Sequence, residues 1–127
     1  MSSITWNYVK TLHDSSAVRD FLKNCHLTLP AGLLECLEKN NGGRPSVKLF
    51  DTDQSRECVF KALLSYNKDD RETIYMVYPD LFKNTSLFPV GTDSAGNFIC
   101  YDFSSEEYVL WNQEMNRIER LRRNLND

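Results

Sequence analysis

Leu87-Phe88-Pro89-Val90, Phe98-Ile99-Cys100-Tyr101-Asp102-Phe103 and Tyr108-Val109-Leu110-Trp111 are three apolar runs in one quarter of the chain. Thr92-Asp93-Ser94-Ala95-Gly96-Asn97 separates the first two, and the polar residues 104–107 separate the last two. Both separators consist of residues that turn a chain. Apolar runs joined by turns this short pair with their neighbours, which predicts a three-stranded antiparallel meander.

Upstream the period changes. Val18, Phe21, Leu22 and Cys25 fall at i, i+3, i+4 and i+7, the stripe of an amphipathic helix with Ser15 or Ser16 as its cap. Leu27-Thr28-Leu29-Pro30 interrupts it, because Pro30 lacks an N–H and disfavours helix at Leu29, yet suits the first turn of a new helix. Leu33, Leu34 and Leu37 give that second helix an apolar face, and Asn40-Asn41-Gly42-Gly43 ends it. Val47 and Leu49 alternate with Ser46 and Lys48 as a first strand, followed by a solvated turn at Asp51-Thr52-Asp53-Gln54-Ser55. Residues 58–64 read as a buried strand or as the start of a helix.

Asp69 or Asp70 is placed to cap a third helix carrying Ile74, Val77, Tyr78 and Leu81, stopped somewhere between Pro79 and Asn84. Trp6, Tyr8, Val9 and Leu12 fit either a short helix or an extended arm. Ile118, Leu121 and Leu125 sit at helical spacing, so residues 115–127 read as a terminal helix or a frayed tail. Helices come first and pairing strands later. That order predicts an α+β fold: a single domain over residues 1–127, with about five to six antiparallel or mixed strands and helices packed on them.

Composition restricts the chemistry. With 127 residues, 41% hydrophobic and 26% charged, the chain is an ordinary globular sequence, long enough to bury a core without a metal or other cofactor. The start lacks a signal peptide's basic and apolar regions, and no window reaches the ~20 apolar residues of a membrane span, so a cytoplasmic protein is expected. Cys25, Cys36, Cys58 and Cys100 form no Cys-x-x-Cys pair and read as reduced core thiols. A net charge of −3 and a pI near 5.4 argue against direct nucleic-acid binding. The one local basic cluster, Arg117, Arg120, Arg122 and Arg123 around Glu119, reads as a solvated face.

The catalytic and metal motifs that the sequence approaches are each incomplete. His13 and His26 have no partner at metal-ligand spacing. The calcium-loop start at Asp51 meets Arg56 where glycine is needed and Ala62 where glutamate is needed. A Cys-His pair would require an exposed thiol, and neither a Gly-x-Ser-x-Gly elbow nor a phosphate loop is present. Asn84-Thr85-Ser86 reads as a chance glycosylation sequon.

Three pieces together resemble the SUKH superfamily, which includes Smi/Knr-type cell-wall regulators and many bacterial immunity proteins. They are Leu27-Thr28-Leu29-Pro30 leading to Asn40-Asn41-Gly42-Gly43; Leu87-Phe88-Pro89-Val90-Gly91-Thr92-Asp93 leading to Gly96-Asn97-Phe98-Ile99-Cys100-Tyr101-Asp102; and Val109-Leu110-Trp111-Asn112-Gln113-Glu114. The sequence departs from the family pattern beside Gly96-Asn97, at Ala95 and Phe98. Pro30, Gly42, Gly43, Gly91, Gly96, Asn97, Asp102 and Trp111 are the structural positions of this motif. Gly42 and Gly43 are expected at a helix end with positive φ, Gly91 and Gly96 in tight turns, and Asn97 in the left-handed region.

The resemblance implies a sheet flanked by helices and a non-catalytic protein that binds a partner, often a toxin. The leading expectation is an immunity protein, monomeric or weakly dimeric, that neutralises a cognate toxin such as a basic nuclease by direct contact. The alternatives are a regulatory scaffold of the cell-wall-synthesis kind and a small enzyme whose cleft gathers a histidine and a carboxylate. Candidate contacts are the loop carboxylates Asp51, Asp53, Asp69, Asp70, Glu72, Glu106 and Glu107, with Tyr66, Tyr75, Tyr101 and Tyr108 as aromatic anchors.

Overall fold

The meander lies at the centre of a six-stranded sheet. The computed structural model describes residues 4–122, with helices α1 (Ala17–Asn24), α2 (Ala31–Lys39) and α3 (Ile74–Leu81). Short strands β1 (Trp6–Asn7) and β2 (Arg44–Pro45) pair with each other. The main sheet runs β3 (Leu49–Phe50), β4 (Cys58–Leu63), β5 (Leu87–Asp93), β6 (Phe98–Asp102), β7 (Glu107–Asn112) and β8 (Arg117–Arg120), each antiparallel to its neighbours. No helix among the described residues is long and apolar enough to cross a membrane.

Both faces of the meander are covered, which is why its strands read as continuous apolar runs rather than as alternation. On one face Phe88, Ile99, Tyr101, Tyr108 and Leu110 pack with Val18 and Leu22 of α1 and Leu33 and Leu37 of α2. On the other, Phe98, Cys100 and Val109 pack under Phe82, which follows α3. Phe82 meets Phe98 and Trp111 edge-on, at centroid distances of 5.4 and 5.3 Å.

The sheet curls until its edges meet. Thr52, just beyond β3, bridges Leu121, just beyond β8. The Asp53 amide donates to the Arg120 carbonyl at 2.9 Å, and the Arg122 amide donates to the Asp51 carbonyl at 3.0 Å. Edge N–H and C=O groups that would otherwise stay unpaired are thereby satisfied. The expected solvated turn at residues 51–55 is therefore a fastener: Thr52 is buried, and its hydroxyl accepts the Gln54 and Ser55 amides while donating to Glu119.

Several local expectations are corrected. Residues 117–120 form a strand, not a helix, because the free side of β7 takes them as a partner and Glu119 turns inward; expectations for 123–127 lie outside the described residues. Thr73, not Asp69 or Asp70, caps α3 through Met76 N–H at 3.3 Å. Pro79 lies inside α3, which ends at Leu81, within the expected range. Pro30 occupies the cap position of α2, and the Ser16 hydroxyl donates to Asp14 and Asp20 instead of capping α1. Val47 and Leu49 are exposed, and β3 shrinks to two residues.

Gly91 stands inside β5, not in a turn. A Cβ there would lie 2.7 Å from the Ala62 carbonyl oxygen and 2.9 Å from the Phe60 ring, so glycine is required by the close approach of β4. It follows Pro89 across a bulge, the one irregularity that admits proline to a central strand. Gly42 and Gly96 do adopt positive φ, +66° and +88°, whereas Gly43, expected there too, is held in place by the close approach of the Asn40 carbonyl and Trp6 instead. Asn97 does not. It locks the β5–β6 turn by donating from its amide and side chain to the Asp93 carboxylate and accepting from Gln113 N.

Candidate functional site

The loop from Ser65 to Glu72 forms a ridge between two clefts of opposite charge. A buried polar network fixes it. Asn41 donates to the Lys10 carbonyl at 2.8 Å and to Ser65 Oγ at 3.1 Å, and accepts the Tyr66 amide at 2.7 Å. Asn67 accepts the His13 amide and donates to the Thr11 carbonyl, while the Ser65 hydroxyl donates to Asp70. The N-terminal arm, the end of α2 and the ridge are joined through these groups. The Asn-Asn-Gly-Gly stretch thus does more than end a helix.

The cleft on one side has a volume of about 770 Å³ and lies between α1 and residues 66–69. Asp14, Asp20 and Asp69 supply its charge, and Phe21, Tyr66 and Tyr75 its aromatic wall. Phe21 meets Tyr66 and Tyr75 edge-on at 5.9 and 5.6 Å. Burial, and then the fields of Asp14 and Asp20, push the Tyr75 phenol above its ordinary value. Tyr66 is only 3% exposed, and its hydroxyl has no hydrogen-bond partner among the described residues. Burial pushes that phenol far up, with Tyr75 and Cys25 adding to it, so it stays neutral.

On the other side of the ridge, Lys10, Arg44, Lys48, Lys61 and Arg71 converge on a groove of about 610 Å³. Glu72 is the one carboxylate lining it among the described residues and is held by Lys61 at 2.6 Å. Arg44 lies 6.0 Å over the ring of Tyr8, an aromatic that is 81% exposed with φ at +56°. These cations are up to 61 residues apart in sequence. No run of the chain announces them.

The anticipated contact residues do not form one face. Tyr66, Asp69, Asp70 and Glu72 belong to the ridge, where Asp69 lies 3.5 Å from His13 and Asp70 lies 3.9 Å from Lys10. Asp51 and Asp53 are spent on the closed edge of the sheet, accepting the Glu57 and Arg120 amides. Glu106 and Glu107 are at the β6–β7 turn, with Glu107 paired to Arg120 at 3.4 Å. Tyr101 and Tyr108 are buried as a cross-strand pair, centroids 5.7 Å apart, and offer no surface to a partner. Tyrosine is amphipathic enough that its sequence position alone does not separate core from surface. Among the structural positions, Asp102 caps the following turn through the Ser104 amide and hydroxyl, and Trp111 stacks on Phe98.

Against this geometry, the family model described as SMI1-KNR4 cell-wall (SUKH_6) matches residues 15–127. The chain belongs to the SUKH family. Neither a curated protein nor a solved structure matches it. The SUKH match spans the helices, the curled sheet and the ridge, and α+β architecture agrees with the fold the resemblance implied.

Cys25 also borders the acidic cleft, beside the His13–Asp69 pair. The three could be read as a catalytic set, but burial pushes the Cys25 thiol above its ordinary value, with Lys83 only partly opposing. A raised thiol is protonated and a poor nucleophile at neutral pH. Iodoacetamide is therefore expected to label Cys25 several-fold more slowly at pH 7 than it labels free cysteine, with a rate that climbs into the alkaline range. Mass spectrometry of the alkylated protein checks this, and rapid labelling that levels off below pH 7 would revive the catalytic reading.

Proposed function

We propose that this SUKH domain, with residues 1–127 as its unit, is a non-catalytic cytoplasmic protein that neutralises a toxic partner protein by binding it. Family membership carries the reading. The ridge adds a physical basis: an acidic aromatic cleft and a basic groove on its two flanks give a dipolar surface suited to steering and orienting a charged partner. The four free cysteines suit a reducing compartment. The sequence-based picture of a tyrosine-rich acidic face narrows to Tyr75, with Tyr66 buried behind it, and the carboxylates around them.

The test is co-expression with the toxin domain encoded beside this gene, scored by host survival and by co-purification. Survival together with a stable complex is expected. Death despite good expression, with no complex, would overturn the reading in favour of a regulatory scaffold or an enzyme. Arg71→Glu with Lys48→Glu, placed on the rim of the basic groove away from the buried network, is expected to slow association at low salt more than at high salt if the dipole steers the partner. Association rates measured at two ionic strengths decide that point.

A further inference from the structure

We propose that the acidic aromatic cleft between α1 and the ridge is a receptor for one arginine side chain of the bound partner. The assignment rests on the partner-binding reading for the partner being a protein, but its chemistry is testable without that partner.

The cleft is already built for a cation. Lys68 places its ammonium 5.2 Å from the Tyr75 ring centroid, so that ring face accepts positive charge. Asp14 Oδ2, Asp20 Oδ1 and Asp69 Oδ2 have no hydrogen-bond partner among the described residues, because the opposite oxygens take the local contacts from Ser16 and His13. The Tyr66 hydroxyl is the second observation. A buried phenol with no partner destabilises the free protein, a cost that an arriving hydrogen-bonding group would offset. Tyr66 and its neighbours Cys25, Phe21 and Tyr75 all line the same cleft, so the lone acceptor belongs to the cleft's aromatic wall, where it is covered in this structure.

Charge and shape together select arginine over lysine. A guanidinium stacks flat on the Tyr75 face while its fork donates to several acceptors at once, here the free carboxylate oxygens and, when the aromatic wall parts to uncover it, the phenol oxygen. An incoming lysine gains no such advantage over the tethered Lys68, whose effective concentration at the ring is already high. Lys68 itself is exposed and free to move aside.

The probe is a blocked Gly-Arg-Gly peptide, with lysine and citrulline counterparts, titrated into the full chain and followed by NMR of the aromatic side chains. Saturable shifts confined to Phe21, Tyr66 and Tyr75 are expected for the arginine peptide, and weaker ones for lysine and citrulline. Tyr66→Phe removes only the phenol oxygen and is expected to weaken arginine binding about fivefold, the worth of one hydrogen bond. The same variant should fold at least as stably as the parent, since the orphaned group is gone. Asp20→Asn should weaken binding as well.

Equal shifts from citrulline or lysine, no localised shifts, or undiminished binding by Tyr66→Phe would overturn the arginine receptor. A toxin complex that forms normally with such a negative result leaves the neutralisation reading standing without this site. Arginine binding without any toxin complex does the reverse.

Discussion

Glu119→Ala is expected to lower the stability of the protein by about 3 kcal/mol, a large fraction of the total for a domain of this size. Glu119 has no exposed surface, yet it is charged. Burial alone would raise its carboxyl. Hydrogen bonds from Thr52 and Ser55, then Arg117 and Asn112, outweigh that and hold it down at about 2. Thr52 donates to Oε1 at 2.6 Å, and Asn112 and Arg117 donate to Oε2 at 3.1 and 2.9 Å. One side chain therefore ties β7, β8 and the loop after β3 together where the sheet closes. Alanine leaves the buried Thr52 O–H without its acceptor and opens that seam.

The same group sets an acid limit. Its folded-state value lies below the ordinary 4.5, so its contribution is complete above pH 4.5 and is lost as the pH falls toward 2. A shift of that size corresponds to about 3 kcal/mol at neutral pH. Urea denaturation from pH 7 to pH 2.5 should show the parent losing stability steeply below pH 4.5. Glu119→Gln, less stable at pH 7, should lose less over that interval, and the two midpoints should converge. Parallel profiles would mean that the carboxylate is not charged in the folded protein.

What could be read from the sequence follows the range of the interactions involved. The first two helices and β5–β7 were legible because each is specified by a local period or by apolar runs joined through short turns. The terminal strand was not. Ile118 and Leu121 satisfy a helical spacing, but the open edge of β7 and the bonds to Glu119 override that local preference. The α3 start was misplaced because Asp69 and Asp70 are good caps in principle, while Asp70 is already engaged by Ser65 in the network beneath the ridge. Surface chemistry was the least legible. The basic groove draws on residues 10, 44, 48, 61 and 71, and the acidic cleft on 14, 20 and 69, so neither leaves a local signature. Of the four tyrosine anchors, the fold packs Tyr101 and Tyr108 against each other in the sheet, buries Tyr66 in the cleft's wall and leaves only Tyr75 partly exposed there.

Asn41→Ala is the second change expected to have a large effect, about 3–5 kcal/mol, because one substitution leaves the Lys10 carbonyl and the Tyr66 N–H without partners and removes a third bond, to Ser65 Oγ, from a buried network. Asn41 is 1% exposed. Its amide holds the Lys10 carbonyl and Ser65 Oγ, and its carbonyl receives the Tyr66 N–H, so it connects the arm, α2 and the ridge from the centre. Asn41→Asp is the sharper variant. It keeps the shape and the acceptor for Tyr66, but it replaces two donated hydrogen bonds with a charge facing a carbonyl. Both variants should lower the thermal midpoint, and at temperatures where each remains folded, amide exchange should be fastest at residues 65–70. If the ridge is the partner-contact surface, such a variant should also lose partner binding more than its residual stability explains, whereas Glu119→Ala, at the far seam of the sheet, should lose binding only in proportion to unfolding. Equal binding losses at matched folded fractions would place the contact surface away from the ridge.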